Sequence, residues 1–100
     1  MGEFDSARVR VEVQRQPSVR LSVVDAGPRN AGPVLLFVQG AGGHALQWVN
    51  QLFYFSHHYR CIAPDIRGHG QSDAPRGGYT VDQVTDDLVA VLDGLDIEKP

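Results

Sequence analysis

The stretch VLLFVQGAGGHALQW, Val34–Trp48, decides how this chain is read. An unbroken apolar run, Val34–Val38, leads straight into Gly40-Ala41-Gly42-Gly43. Beyond the glycines, Ala45, Trp48, Val49 and Leu52 recur at helical spacing. A short apolar run that does not alternate predicts a strand covered on both faces, as in a parallel sheet. Glycine raises the entropic cost of ordering a chain, so a turn this rich in it implies that bare backbone is needed there. Two quite different sites use such a turn, one that holds a dinucleotide and one that holds an oxyanion.

Outward from this stretch the pattern continues. Arg60–Pro64 is a second short apolar segment, so Val34–Pro64 predicts a βαβ unit. Upstream, Val9, Val11 and Val13 alternate with Arg8, Arg10 and Glu12, and Val19, Leu21 and Val23 alternate with Arg20 and Ser22. Period two predicts half-buried strands, and Gln16-Pro17-Ser18 between them reads as a turn, giving an antiparallel pair. Gly27–Gly32 and Asp65–Gly78 are loops by composition. Thr80 opens a helix, with Thr80 and Gln83 as a capping box. Its apolar stripe is Val81, Val84, Leu88, Val91, Leu92 and Leu95, with Asp82, Asp86, Asp87 and Asp93 largely elsewhere. The class is therefore α/β: an antiparallel strand pair, a βαβ unit and a further helix.

The 100 residues, 42% hydrophobic and 21% charged, describe one small globular domain, spanning 1–100 with a tail over about residues 1–6. A net charge of −3 with mixed signs leaves no footprint for nucleic acid. No apolar run has the length of a membrane span, and no leader of the secretory kind opens the chain. The single cysteine, Cys61, rules out an internal disulfide framework and fits a reducing, cytoplasmic setting. Met1-Gly2-Glu3-Phe4-Asp5-Ser6 fits the myristoylation pattern, but acidic Glu3 and Asp5 and the lack of a basic patch argue for a plain tail.

Both readings of the glycine turn have residues in their favour. Gly40-x-Gly42-x-x-Ala45 fits the dinucleotide fingerprint, and Asp65 ends the next strand near where a ribose-binding acid would stand. The preceding hairpin and the long polar loop after Asp65 do not fit that reading. The second reading accounts for the loop. Val38-Gln39-Gly40-Ala41-Gly42 followed by Trp48, and then Ile62-Ala63-Pro64-Asp65-Ile66-Arg67-Gly68-His69-Gly70-Gln71-Ser72-Asp73, closely resembles the α/β-hydrolase superfamily. The resemblance runs from about Val19 to Pro100, and D-x-R-G-x-G-x-S is its more specific part. It implies that the loop after the third strand contributes to an oxyanion hole, with the backbone N–H of Ala41 as donor. Gly40, Gly42 and Gly43 then let backbone approach the substrate. A fixed N–H aimed at the developing oxyanion is worth roughly 3–4 kcal/mol. Where the family carries histidine before the first glycine, this chain has Gln39, whose amide can hydrogen-bond neighbouring loops.

The resemblance also implies what is missing. The family's nucleophile sits on a strand–turn–helix elbow that should follow Pro100, with its acid and histidine later still. The expectation is thus the N-terminal part of an α/β-hydrolase sheet, truncated before the nucleophile elbow, with no triad residue and no catalysis alone. The implied parent hydrolyses a small-molecule ester or lactone; epoxide and haloalkane substrates use the same fold with an acid nucleophile. No cofactor or metal is expected. A non-catalytic, partner-binding relative and a dinucleotide-binding βαβ module are the alternatives. Gly70-Gln71-Ser72-Asp73-Ala74 imitates G-x-S-x-G outside the elbow context, so Ser72 reads as a turn-stabilising hydroxyl. His69 is structural in the resembled family. His57 and His58 suit the negative end of a helix, and His44 a solvated helix start. Trp48 reads as core, and Asp65, Arg67 and Asp73 as surface ion pairs that tie the loop together. In the family's sheet order the third strand lies between the fourth and fifth. Without a fifth, Val34–Val38 becomes an apolar edge that invites self-association or a partner chain.

Overall fold

The computed structural model describes residues 4–29, 32–40 and 42–100. In chain order the elements are β1 (Arg8–Gln14), β2 (Val19–Ala26), β3 (Val34–Leu36), α1 (Val49–Phe55), β4 (Arg60–Pro64) and α2 (Val81–Gly94), with short 3-10 turns at Asp5–Ala7 and Ala45–Trp48. The sheet order is β1-β2-β4-β3. β1 and β2 pair antiparallel, Val11 opposite Leu21, with an irregularity between Glu12 and Gln14. β2 and β4 are also antiparallel, whereas β3 and β4 run parallel, Leu35 opposite Cys61. The parallel pair joined through α1 is the expected βαβ unit, and the architecture is α/β as expected.

Side-chain alternation along the strands divides the core into two layers. On one face Val24, Ala26, Cys61 and Ala63 pack with Leu52 of α1 and with Phe4. On the other, Leu21, Val23 and Ile62 pack with Val91 of α2 and with Ile97. Each fully buried aliphatic side chain such as Leu21, Leu52 or Ile62 contributes about 1.5–3 kcal/mol.

Several sequence expectations need correction. β3 is not covered on both faces: Val34, Leu35 and Leu36 are each half-buried, because β3 is the edge of the sheet. Its ladder runs one residue further, Phe37 N–H donating to Ile62 O at 2.9 Å. β2, expected to alternate, is buried on nearly its whole length, Ser22 and Asp25 included, since it lies between β1 and β4 with a packed layer on each face. Part of the segment expected to be tail is packed. Phe4 is buried, its ring 4.9 Å from that of Phe53, and Asp5–Ala7 form a 3-10 turn. Met1–Glu3, which carry the start of the lipidation motif, lie outside the described residues.

α2 begins where its cap predicts: Thr80 Oγ1 accepts from Gln83 N–H at 3.1 Å. The reciprocal half of the box is absent, because the Gln83 amide donates to Asp87 Oδ1 at 3.0 Å. The stripe is also not as expected. Val81 is exposed and Val84 and Leu88 only half-buried, while Asp87 is buried.

Candidate functional site

β3 and β4 run parallel and end side by side, so the loops that follow them converge at the carboxyl end of the sheet, where open α/β sheets place their ligand crevices. Gln39 links the two exits. With its amide oriented to satisfy both neighbours, its nitrogen donates to Pro64 O at 2.8 Å and its oxygen accepts from Ile66 N at 2.8 Å. Gln39 is 5% exposed, so these bonds satisfy an amide that burial would otherwise penalise. The loop contact expected of this amide is present.

The glycines that follow have separate reasons. Gly42 has φ +83°, a left-handed conformation that favours glycine. A Cβ at Gly43 would meet Gln47 Oε1 at 2.0 Å and Gln39 Cβ at 3.1 Å, so packing explains that position. Gly40 has neither explanation: a Cβ there would have no heavy atom within 4 Å. The Gly43 N–H donates to Gly40 O at 3.1 Å, closing the turn. The Gly42 N–H donates to His69 Nε2 at 2.9 Å. Both amides are thus engaged inside the protein. Ala41, the expected oxyanion donor, lies outside the described residues.

The loop after β4 is built around Asp65, which is fully buried. Its carboxylate accepts from Ala45 N–H at 2.5 Å, from Gln71 N–H at 2.9 Å and from Arg8 Nη1 at 2.8 Å. Gly70, at φ +51°, is required here, since a Cβ would lie 2.3–2.5 Å from the Asp65 carboxyl atoms. Ser72 has the turn-stabilising role expected of it: its hydroxyl accepts from Ser22 N–H at 2.8 Å and donates to Asp65 O. Asp73 accepts from exposed Arg10 at 2.7 Å, the surface pair anticipated. Its carboxyl is held below the usual range by the Arg20 backbone N–H and, secondarily, by Arg10.

For Asp65 and Arg67 the surface ion-pair expectation is overturned. Arg67 is 1% exposed and forms a fork-to-fork pair with Asp87 of α2, Nε to Oδ2 at 2.7 Å and Nη2 to Oδ1 at 2.9 Å. Gly77 O accepts from Nη1 and Gln14 Oε1 from Nη2, both at 3.1 Å. Both charges are compensated by neighbours distant in sequence, which is why no local pattern exposed them.

A cavity of about 440 Å³ borders this junction, lined by Val38, Gln39, His69, Tyr79, Val84 and Leu88 among others. It is apolar apart from a few polar groups, the usual character of a small-molecule site. The remaining candidates stay apart from it. His44 is exposed at the start of the Ala45–Trp48 turn, and His57 Nδ1 sits 2.8 Å from Phe53 O at the end of α1. Among the described residues no cluster of three metal-ligating side chains occurs. Trp48 packs in the core, its ring 5.6 Å from that of Phe37. The dinucleotide reading loses its ribose acid, because every Asp65 contact is internal. That carboxylate also caps Ala45 N–H, at the helix start where a pyrophosphate would bind. Among the described residues no helix is long and apolar enough to cross a membrane.

Comparison with known proteins agrees with this geometry. The family described as "alpha/beta hydrolase fold" matches residues 33–100. The chain is 37% identical over 98 residues to epoxide hydrolase 3 of Mus musculus, covering 96% of this chain and 26% of that protein. It is 46% identical over 74 residues to a non-heme chloroperoxidase of Streptomyces lividans, covering 73% of this chain and 26% of that protein. Over 67 residues it is 42% identical to 3-oxoadipate enol-lactonase 2 of Acinetobacter baylyi, covering 67% of this chain and 25% of that protein. Among solved structures, an epoxide hydrolase from metagenomes of hot environments superposes with a TM-score of 0.80 at 37% identity, covering 89% of this chain and 30% of that one. The chain therefore spans about a quarter of the length of these curated relatives. With the family match covering residues 33–100 and the relatives aligned over most of the chain, the chain belongs to the alpha/beta hydrolase fold family.

Proposed function

We propose that this chain supplies the oxyanion loop of a hydrolase acting on a small ester or lactone, and that it is not catalytic by itself. Ala41 contributes the backbone N–H, and Gly40 and Gly42 leave the substrate carbonyl room to approach, whereas Gly43, expected to do the same, makes room for Gln47 and Gln39 instead. The observation that carries this reading is Gly40, a glycine that neither backbone strain nor packing requires and whose missing side chain faces open space. The Gly42 and Gly43 amides beside it are engaged internally, which supports a turn that is braced without being filled. Rigidity of this kind is what electrostatic preorganisation requires.

A second reading, epoxide opening, is favoured by the names of several relatives, including the mouse protein and two of Siraitia grosvenorii. The unpaired edge of β3 supports a further element of the reading: this edge takes another strand, from a partner chain or a second copy. A groove of about 730 Å³ runs along it, lined by Val34, Leu35, Leu36, Phe37, Phe55 and Tyr59 among others. Apolar edges of this kind recruit strands.

The test is a chimera in which this chain replaces the matching quarter of the Acinetobacter enol-lactonase, with a parallel chimera in the mouse epoxide hydrolase. Lactone hydrolysis should survive in the first. Ala41→Pro, which deletes the N–H, should lower kcat by roughly 10²–10³-fold with KM little changed, and Ala41→Gly should not. An active chimera indifferent to Ala41→Pro refutes the donor role. Activity confined to the epoxide hydrolase frame favours the second reading. The chain alone should not react with a fluorophosphonate probe; labelling would show a nucleophile within it.

A further inference from the structure

His69 is bonded on both sides of its ring, and the two bonds leave one protonation state. Its Nδ1 lies 3.0 Å from Arg67 O, and a carbonyl oxygen accepts, so Nδ1 carries the proton. Its Nε2 lies 2.9 Å from Gly42 N, whose N–H donates, so Nε2 presents a lone pair. The neutral Nδ1–H tautomer satisfies both contacts. The Nε2–H tautomer and the imidazolium each turn a donor against the Gly42 N–H.

We propose that His69 is a positioning residue whose neutral imidazole tethers the glycine turn, and that protonating it releases the turn. Gly42 is reached across 27 positions of sequence, from the loop after β4 to the loop after β3. Across the same junction run the Gln39 contacts to Pro64 and Ile66 and the Ala45 contact to Asp65. Of these bonds, the His69 tether alone is accepted by an imidazole nitrogen, whose lone pair protonation removes. The inference deepens the oxyanion-loop reading and rests on it for any catalytic consequence; the tether is read without reference to catalysis.

The titratable groups on the elements packed around the ring are few. The glycine turn contributes His44, which is exposed. The loop contributes Asp65, Arg67, Asp73, Arg76 and Tyr79, with Arg76 exposed. Asp65 is engaged with Arg8 and two backbone amides, Arg67 with Asp87, and Asp73 with Arg10. The first turns of α2 contribute Asp82 and Asp86, both exposed, and Tyr79 shares the cavity with His69. His44 lies two positions from Gly42, so it is the group whose own titration must be separated from that of His69.

The experiment is a titration of the full chain, ¹⁵N-labelled, from about pH 8 to pH 5, across the imidazole range. It reads the His69 ring nitrogens and the Gly42 amide together; sedimented material in magic-angle spinning gives the same signals if the chain self-associates. At high pH His69 should be the Nδ1–H tautomer, and the Gly42 amide should shift with the His69 midpoint. His44→Gln should leave that coincidence intact. His69→Gln, whose amide oxygen can still accept, should keep the Gly42 shift near its high-pH value and flatten its pH dependence. His69→Phe should place it at the released position at every pH and speed Gly42 exchange by about five- to tenfold, the worth of one hydrogen bond. An Nε2–H tautomer, or a Gly42 amide that follows His44 or ignores His69, overturns the proposal. These signals do not involve turnover. A failed tether with a functional Ala41, or the reverse, is therefore distinguishable from failure of the hydrolase reading.

Discussion

Replacing Asp87 by alanine removes one half of the buried pair that ties the loop after β4 to α2. Arg67 and Asp87 have side chains 1% and 2% exposed and share two hydrogen bonds of 2.7 and 2.9 Å. In Asp87→Ala the guanidinium keeps Gly77 O and Gln14 Oε1 but loses its counter-charge. A buried charge left uncompensated costs about 3–5 kcal/mol. Domains of this size have about 5–15 kcal/mol in total, so the loss is a large share of the whole. At a urea m-value of about 1.5 kcal/mol/M, a 4 kcal/mol loss lowers the midpoint by about 2.7 M. Equilibrium urea unfolding followed by Trp48 fluorescence and far-ultraviolet circular dichroism, at several protein concentrations, measures it. The double variant Arg67→Met with Asp87→Leu removes both charges and should recover most of the loss, because desolvating an ion pair offsets much of its attraction. A midpoint shift in Asp87→Ala equivalent to less than about 1 kcal/mol, or a double variant as unstable as the single one, would refute the reasoning.

Four further outcomes follow from the structure. Burial acts to raise the Asp25 carboxyl, but hydrogen bonds and charge from Arg60 and Arg29 outweigh it and hold the group below its usual value. Its contribution is therefore present above the unfolded carboxylate pKa, about 3.9, and is lost as pH falls through the lower folded value. Asp25→Asn should flatten that acid limb in stability measured against pH. Cys61 is fully buried and burial pushes its thiol up, so it should resist a thiol-specific disulfide reagent in the folded chain and react once urea unfolds it. Gly70→Ala should lower Tm more than Gly32→Ala: both have positive φ, but a Cβ at Gly70 collides with the Asp65 carboxyl whereas one at Gly32 meets nothing within 4 Å. Val38→Lys, at an exposed position just beyond β3, should reduce self-association seen by sedimentation as concentration rises, and no change would argue against the edge as the contact.

Local pattern carried the frame of this fold. The apolar runs at Val34 and Arg60, the glycines between them, the span of β1 and the Thr80 cap each depend on residues close in sequence, and each stands where expected, although the alternation expected of β1 fails at Val9, which is exposed on this edge strand. The misreadings share a different cause. Asp87 sits four positions before Val91, on the same face of α2, yet an acid there reads as solvated until Arg67 is known to meet it. Phe4 reads as tail until Phe53 covers it, and β2 reads as half-buried until β4 takes its far edge. In each case burial is set by a partner that sequence separation hides.

The same reasoning weighs against one of the two readings of the glycine turn. A dinucleotide site needs a free acid at the end of β4 and free amides at the start of the following helix. This fold has joined those two groups to each other, Asp65 to Ala45 N–H, and has closed Gly42 on His69 and Gly43 on Gly40. Polar groups satisfied in this way brace a loop and are not available to grip a phosphate. Gly40 accepts from Gly43 through its carbonyl, but the place of its missing side chain is open space, a backbone that costs conformational entropy to order. An N–H held by such a turn would stabilise charge that appears on a substrate only during reaction, which is the use that a braced but unfilled loop can serve.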